Sequence, residues 1–233
     1  MNSVGTVEAL WRYPVKSMVG EGLTQAAVDA RGILGDRLYA VRDIDGKLGG
    51  GKNTRRFRRM DGLLDFRATY LPDLTPMITL PDGRTVRGDD EHVHWALADG
   101  LDRQGVTLVK EGVISHFDQE PLHLVTTASM RWLADVAPRT DIDLRRIRPN
   151  LVIRVADAVG RPEDGWLGHR LSIGSHLVID VVGRAERTST YEEESDSTEV
   201  FRLIAEEHDL FFGVSGRVLT PGRVRVGDEV LIS

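Results

Sequence analysis

The chain has 233 residues, 41% of them hydrophobic, with a net charge of -6 and a pI near 5.7. That acidic balance argues against a general nucleic-acid binder, which needs basic surface. Its cysteine count is zero, which excludes disulfides, thiolate metal sites, persulfide carriage and cysteine nucleophiles together.

Along the chain, alternating or β-branched segments dominate. Val7 to Tyr13, Thr24 to Asp29, Leu38 to Arg42, Leu64 to Tyr70, Met77 to Leu80 and Val106 to Val109 read as strands. So do Leu151 to Val155, His176 to Val182, Phe212 to Leu219 and Glu229 to Ile232. Asp45-Gly46, Asp82-Gly83, Pro221-Gly222 and Gly227-Asp228 supply the turns. Short strands punctuated in this way predict barrels or sandwiches. Three helices interrupt them. The first follows Asp89 or Asp90 and stops before Gly100, with Val93, Ala96 and Leu97 on one face. The second starts near Thr126 or Thr127, carries Met130, Leu133 and Ala134, and ends before Pro138, whose ring cannot continue it. The third begins near Asp196, with Glu199 three places on as in a capping box. The fold class is therefore mainly β with a few helices (α+β). The ending from Phe211 to Val230 reads as a terminal hairpin of strand, turn, strand, turn and strand.

Five motifs carry the chemistry or shape the loops. Tyr13-Pro14-Val15-Lys16-Ser17 closes the opening strand and offers an ammonium and a hydroxyl to an anion; an ordinary exposed lysine is the other reading. Gly35-Asp36-Arg37 places a planar guanidinium, suited to phosphate or carboxylate, just before a strand; a structural turn is the other reading. Arg145-Arg146-Ile147-Arg148-Pro149-Asn150 puts three arginines at a strand entrance, either as a phosphate cradle or as a solvated basic turn. Residues 45–60 form a Gly-rich and then basic loop. Glu163-Asp164-Gly165-Trp166 reads as a tight loop with an aromatic plug. The seven histidines form no metal-binding spacing: His92 and His94, two apart on a helix, face different ways.

Taken in order, these motifs resemble the MOSC family with its N-terminal β-barrel partner. The match runs through Tyr13-Pro14-Val15-Lys16-Ser17, Gly35-Asp36-Arg37, Leu124 to Leu133, Arg148-Pro149-Asn150, Gly165-Trp166-Leu167-Gly168 and Phe212-Gly213-Val214 to Gly227-Asp228. The resemblance implies an N-terminal β-barrel-like domain over residues 1–115, packed on a MOSC β-barrel over 116–233. A molybdenum-molybdopterin cofactor would lie between them. It implies that Lys16, Ser17 and Arg37 hold the cofactor phosphate, that Thr127 and Ser129 border the pterin, and that Arg148 and Asn150 complete the cradle. The family's Cys-x-Arg-Cys pattern reads Ala185-Glu186-Arg187-Thr188 here, so the metal-ligand position falls on Thr188.

Three functions fit this reading. One is a molybdenum-pterin oxidoreductase of small N-oxygenated compounds, fed by a separate flavin or iron–sulfur electron donor, with Thr188, Ser189 or solvent at the metal. A second is a repurposed pocket for another anionic small molecule, with Tyr191 and one of Glu192 to Glu194, such as Glu194, as acid and base. The third is a non-catalytic cofactor carrier. No run of apolar residues approaches the roughly 20 of a membrane span, and the opening residues lack a signal-peptide pattern. The expectation is a cytoplasmic protein with neither membrane nor nucleic-acid partners.

Overall fold

The computed structural model describes residues 1–136, 147–186 and 211–233. The first half holds β1 (Asn2–Arg12), β2 (Glu21–Leu23), β3 (Gln25–Asp29), β4 (Gly32–Ile33), β5 (Tyr39–Arg42), β6 (Leu48–Gly50) and β7 (Phe57–Arg59). It continues through β8 (Arg67–Tyr70), β9 (Pro76–Thr79), β10 (Thr85–Arg87), α1 (Val93–Gly100) and β11 (Thr107–Lys110). The second half holds β12 (Leu122–Thr126), α2 (Thr127–Val136), β13 (Leu151–Arg154), β14 (Arg170–Ile173) and β15 (Leu177–Glu186). It ends with β16 (Phe211–Thr220), β17 (Gly222–Arg225) and β18 (Glu229–Ile232).

Seven of the described strands close a barrel in the order β13-β12-β16-β15-β14-β18-β1, sealed by β1 pairing back to β13. Closure removes the open sheet edges that would otherwise template aggregation. The interior gathers Val7, Leu10, Leu124, Ile153, Ile179, Val214 and Val230, all essentially buried. β12 and β13 run parallel, which a two-residue turn cannot connect, and α2 lies in the crossover between them. Val125 and Val152 point outward into a small core shared with Leu133 of α2 and Phe212. This explains why every residue of β12 is buried: the strand is covered on both faces.

A second core is built from Val15, Met18, Val41, Leu63, Phe66, Ile78, Leu97 and Leu108. Around it lie the sheets β10-β9-β8 and β11-β5-β6-β7, with α1 alongside. Core membership does not follow a cut at residue 115. Val7, Leu10, Ala26, Val28 and Ile33 all share the barrel's core. The chain thus enters through the barrel, touches the second core at Val15 and Met18, rejoins the barrel core with β3 and β4, and then builds the second core before returning.

The expected terminal hairpin does not form. β17 pairs with β3, and β18 pairs with β14 and β1. Burial makes the choice, because Val224 of β17 is fully buried only when it joins Ala26 and Val28 over the barrel core. The first two expected helices are present as α1 and α2. The third, near Asp196, lies outside the described residues.

At the entrance to α2 sits a closed polar knot. The Thr126 hydroxyl oxygen accepts the Ser129 N–H at 3.1 Å, which is an N-cap bond. The Glu163 carboxylate accepts the Thr126 hydroxyl at 2.7 Å and the Ser129 hydroxyl at 2.5 Å. All three residues are 0% exposed. Trp166, one turn further along the same 3₁₀ segment (Pro162–Trp166), plugs the barrel core as the sequence suggested.

Candidate functional site

The functional geometry begins where the chain leaves the barrel. After β1, residues Tyr13 to Met18 cross to the second core, where Val15 and Met18 are buried. Backbone bonds hold the crossing: the Lys16 N–H donates to the Tyr39 carbonyl at 2.8 Å and the Tyr39 N–H to the Pro14 carbonyl at 3.0 Å. Tyr13 is the hub. Its N–H donates to Asp36 Oδ1 at 2.8 Å, its carbonyl accepts the Arg37 N–H at 2.6 Å, and its hydroxyl donates to the Pro149 carbonyl at 2.9 Å. Three segments far apart in sequence meet at one ring.

The cations gather around that ring. The Arg37 guanidinium lies 4.9 Å from the Tyr13 ring centroid and that of Arg148 lies 4.3 Å from it. Such stacking stabilises and orients a guanidinium. Arg37 also pairs with Asp36 and reaches Asn150 Oδ1 at 3.4 Å, while Arg148 donates to the Met18 carbonyl. Beside them, the Lys16 ammonium sits 4.5 Å from the Phe57 ring centroid and 2.6 Å from Asp118 Oδ1. Lys52 lies 3.9 Å from the other Asp118 oxygen and 5.7 Å from the Phe57 centroid. The Ser17 hydroxyl donates to the Gly49 carbonyl at 3.4 Å. The Gly-rich loop passes so close that a Cβ on Gly50 would sit 3.8 Å from Lys16 Cε. Among the described residues the cluster sets four cations, Lys16, Lys52, Arg37 and Arg148, beside two carboxylates, Asp36 and Asp118.

The backbone is strained at the same place. Six described non-glycine residues have a left-handed φ, and three of them are Ser17 (66°), Arg37 (50°) and Arg148 (56°). Each such residue costs about 1–2 kcal/mol, and its surroundings must hold it there. Gly35, with φ of 83°, makes the turn that precedes Arg37. A Cβ there would lie 2.7 Å from Tyr70 Cε2, and that ring is pinned because its hydroxyl donates to the Gly35 carbonyl at 2.9 Å. Gly35→Ala is expected to lower stability by about 2 kcal/mol, read as a shifted midpoint in denaturant unfolding.

Burial pulls the Lys16 pKa down to about 8; Arg37 and Arg148 push the same way, and Asp118 opposes them. The Asp118 carboxyl is itself held below its usual range, because the Lys16 charge, helped by Lys52 and Arg37, outweighs burial. With a folded pKa below the unfolded 10.5, Lys16 sheds its proton first in the folded chain. Its burial therefore costs stability below pH 8, and that cost fades as pH rises from about 8 towards 10.5. Anion binding runs the other way. Titrated with inorganic phosphate at constant ionic strength, the affinity is expected to fall about 10-fold above pH 8, as one charged donor is lost. Lys16→Met is expected to flatten that step.

Lys16, Ser17, Arg37, Arg148 and Asn150 are brought together. Lys16 is only 5% exposed, not the surface lysine of the alternative reading. Asn150 is fully buried, and its side chain serves the scaffold: Oδ1 accepts the His123 N–H at 3.1 Å and Nδ2 donates to the Trp11 carbonyl at 3.3 Å. Thr127 and Ser129 lie at the far end of β12. Thr127 Oγ1 accepts the Val155 N–H at 3.4 Å, and Ser129 is closed into the knot with Glu163. Thr188, Tyr191 and Glu194 lie outside the described residues, as do Arg145 and Arg146. Sequence reasoning missed Tyr13 as the hub and Phe57 and Asp118 as neighbours of Lys16. The signal for Tyr13 was its place at the head of the Lys-Ser motif. Among the described residues no group of three His, Asp or Glu side chains is placed to hold a metal ion, and no helix is long and apolar enough to cross a membrane.

A closed β-barrel beside a second β-rich lobe, with basic side chains gathered where the chain crosses between them, defines a mainly β protein with a cationic cluster at that crossing. The chain belongs to the MOSC family: residues 111–231 match the MOSC domain and residues 4–89 the MOSC N-terminal beta barrel domain. It is 24% identical over 287 aligned residues to mitochondrial amidoxime-reducing component 1 of Mus musculus, covering 100% of this chain and 83% of that protein. Among solved structures it is similar to the YUAD protein from Bacillus subtilis, with a TM-score of 0.54 and 15% identity over 98% of this chain and 94% of that one. That likeness bears on the fold. YiiM from Geobacillus stearothermophilus aligns over 65% of this chain and 68% of its own, with 15% identity and a TM-score of 0.40.

Proposed function

We propose that this MOSC protein seats a phosphate-bearing molybdopterin-type cofactor at the Tyr13 hub and reduces small N-oxygenated compounds with electrons from a separate flavin or iron–sulfur protein. The observation that supports the seat is the convergence of Arg37 and Arg148 on one Tyr13 ring, with Lys16 beside them. The distant similarity to an amidoxime-reducing component supports the choice of substrate class. The residues suit the anionic end of such a cofactor. Lys16, Arg37 and Arg148 would hold its phosphate, with the Ser17 hydroxyl and the Gly49–Gly50 backbone alongside. When bound, the cofactor supplies the two-electron redox chemistry at its metal. The protein's share is binding, orientation and charge.

The metal end is less well provided. The chain has no cysteine, and Thr188 stands at the family's thiolate position. A neutral hydroxyl is a poorer partner for a soft metal than a thiolate. This observation favours a second reading, in which the seat takes another anionic small molecule without molybdenum and Tyr191 and Glu194 act as acid and base. One experiment separates the two: the full chain is purified from cells that make the cofactor, then examined by elemental analysis and native mass spectrometry. Stoichiometric molybdenum with a pterin mass is expected. A different phosphorylated or carboxylated molecule, without molybdenum, would turn the assignment to the second reading. Reductase assay of the loaded protein then distinguishes an enzyme from a carrier.

A further inference from the structure

We propose that His116 is a positioning residue of the anion seat, acting through the backbone of Arg37; the inference rests on the seat described above. His116 is 4% exposed, and its Nδ1 lies 3.1 Å from the Arg37 carbonyl oxygen. A carbonyl only accepts, so Nδ1 carries the proton and donates. Burial lowers the imidazole pKa, so the ring is neutral at physiological pH.

The residue is braced through its main-chain N–H. The His116 N–H donates to Glu111 Oε2 at 2.7 Å. Glu111 in turn takes the Arg31 guanidinium through two bonds of 2.6 and 2.7 Å. Arg31 also donates to the Asp36 carbonyl at 2.6 Å and stacks 4.7 Å from the Phe117 ring centroid. This brace makes His116 a fixed point, against which the left-handed Arg37 is held by both of its peptide groups. The Arg37 N–H goes to the Tyr13 carbonyl and its carbonyl receives His116. Without the second anchor, the peptide after Arg37 keeps only the 3.4 Å bond from the Leu38 N–H to the Gly35 carbonyl, and ψ of Arg37 can drift towards ordinary backbone geometry. The guanidinium would then swing off the Tyr13 ring, while its charge and its chemistry stayed intact. His116 therefore sets where the Arg37 cation points.

The test uses the full chain and inorganic phosphate as probe, with affinity read by calorimetry and folding by thermal unfolding. His116→Leu is expected to weaken phosphate about 10-fold, the equivalent of one lost hydrogen bond. His116→Asn, whose amide N–H falls near the Nδ1 position, is expected to recover to within about 3-fold of the parent, whereas His116→Gln, with a longer reach, is not. A protein merely loosened by the change would lose affinity equally in Asn and Gln. Equal affinities for Asn and Gln would overturn the proposal, and that pair decides the matter even where His116→Leu does not fold. Arg37→Ala is the control for the seat itself. If it is weakened while every His116 variant binds as the parent does, the positioning role is wrong and the seat stands. If the parent binds no phosphate, or Arg37→Ala binds it equally well, the seat fails and this inference with it.

Discussion

Alanine at Arg37 or at Arg148 is expected to weaken inorganic phosphate, or a phosphate monoester, by about 10- to 100-fold. Each guanidinium supplies charge-assisted bonds of about 1.5–3 kcal/mol to an anion. The two share the Tyr13 ring, at 4.9 and 4.3 Å, so the double variant is expected to lose less than the product of the single losses. Arg148→Lys is expected to behave more like alanine than like arginine, because an ammonium cannot reproduce the planar stack or the bond to the Met18 carbonyl in the same pose. Calorimetric titration measures the affinities, and unfolding midpoints show whether the variants remain folded. Folded variants that both bind phosphate as the parent does would remove the seat from this place.

Glu163→Ala is expected to cost about 3–5 kcal/mol of stability, enough to threaten folding of an ordinary domain. The carboxylate accepts the Thr126 hydroxyl, the Ser129 hydroxyl and, at 3.3 Å, the Thr126 N–H, and none of these groups reaches water. Removing it orphans buried donors and leaves a void, and the two penalties add. The damage is expected to concentrate at the first turn of α2, where Thr126 caps the helix. Glu163→Gln keeps the volume and part of the bonding, and is expected to lose less than half as much. Denaturant unfolding with hydrogen exchange across α2 checks both. A Glu163→Ala protein as stable as the parent would show that the knot contributes nothing.

Much of the strand content was legible because side-chain alternation is local. Leu38 to Arg42, Leu151 to Val155 and Glu229 to Ile232 fall on β5, β13 and β18, and the pattern with Val93, Ala96 and Leu97 falls on α1. β12 was harder to read. Its five residues are buried on both faces, so the sequence reading placed no strand there, although it started the following helix at Thr126 or Thr127. The final segment misled for a different reason. Pro221-Gly222 does mark a turn, but a turn signal says nothing about which strand the next segment will join. Burial of Val224 decided that.

The site divides in the same way. Lys16, Ser17, Arg37 and Arg148 were legible as residue types suited to an anion, yet each tripeptide had an ordinary surface reading of equal or greater weight. Glu163 and Trp166 were legible as structural. Tyr13 was quoted for its motif without a role, because nothing in the local pattern says that one ring will carry two guanidinium groups.

By itself the sequence determined the inventory: many short strands, two helices among the described residues, an acidic chain without a thiolate, and four separated basic motifs. Those follow from composition and local periodicity, which act over a few residues. The tertiary structure alone decided that β1 closes the barrel with strands from the other end of the chain, and that Lys16, Arg37 and Arg148 face one another. It also fixed the left-handed backbone that aims them. Those follow from which apolar faces must be buried together, a demand that pairs Leu10 of β1 with Leu151 of β13 inside the barrel and leaves no trace in any window of neighbours.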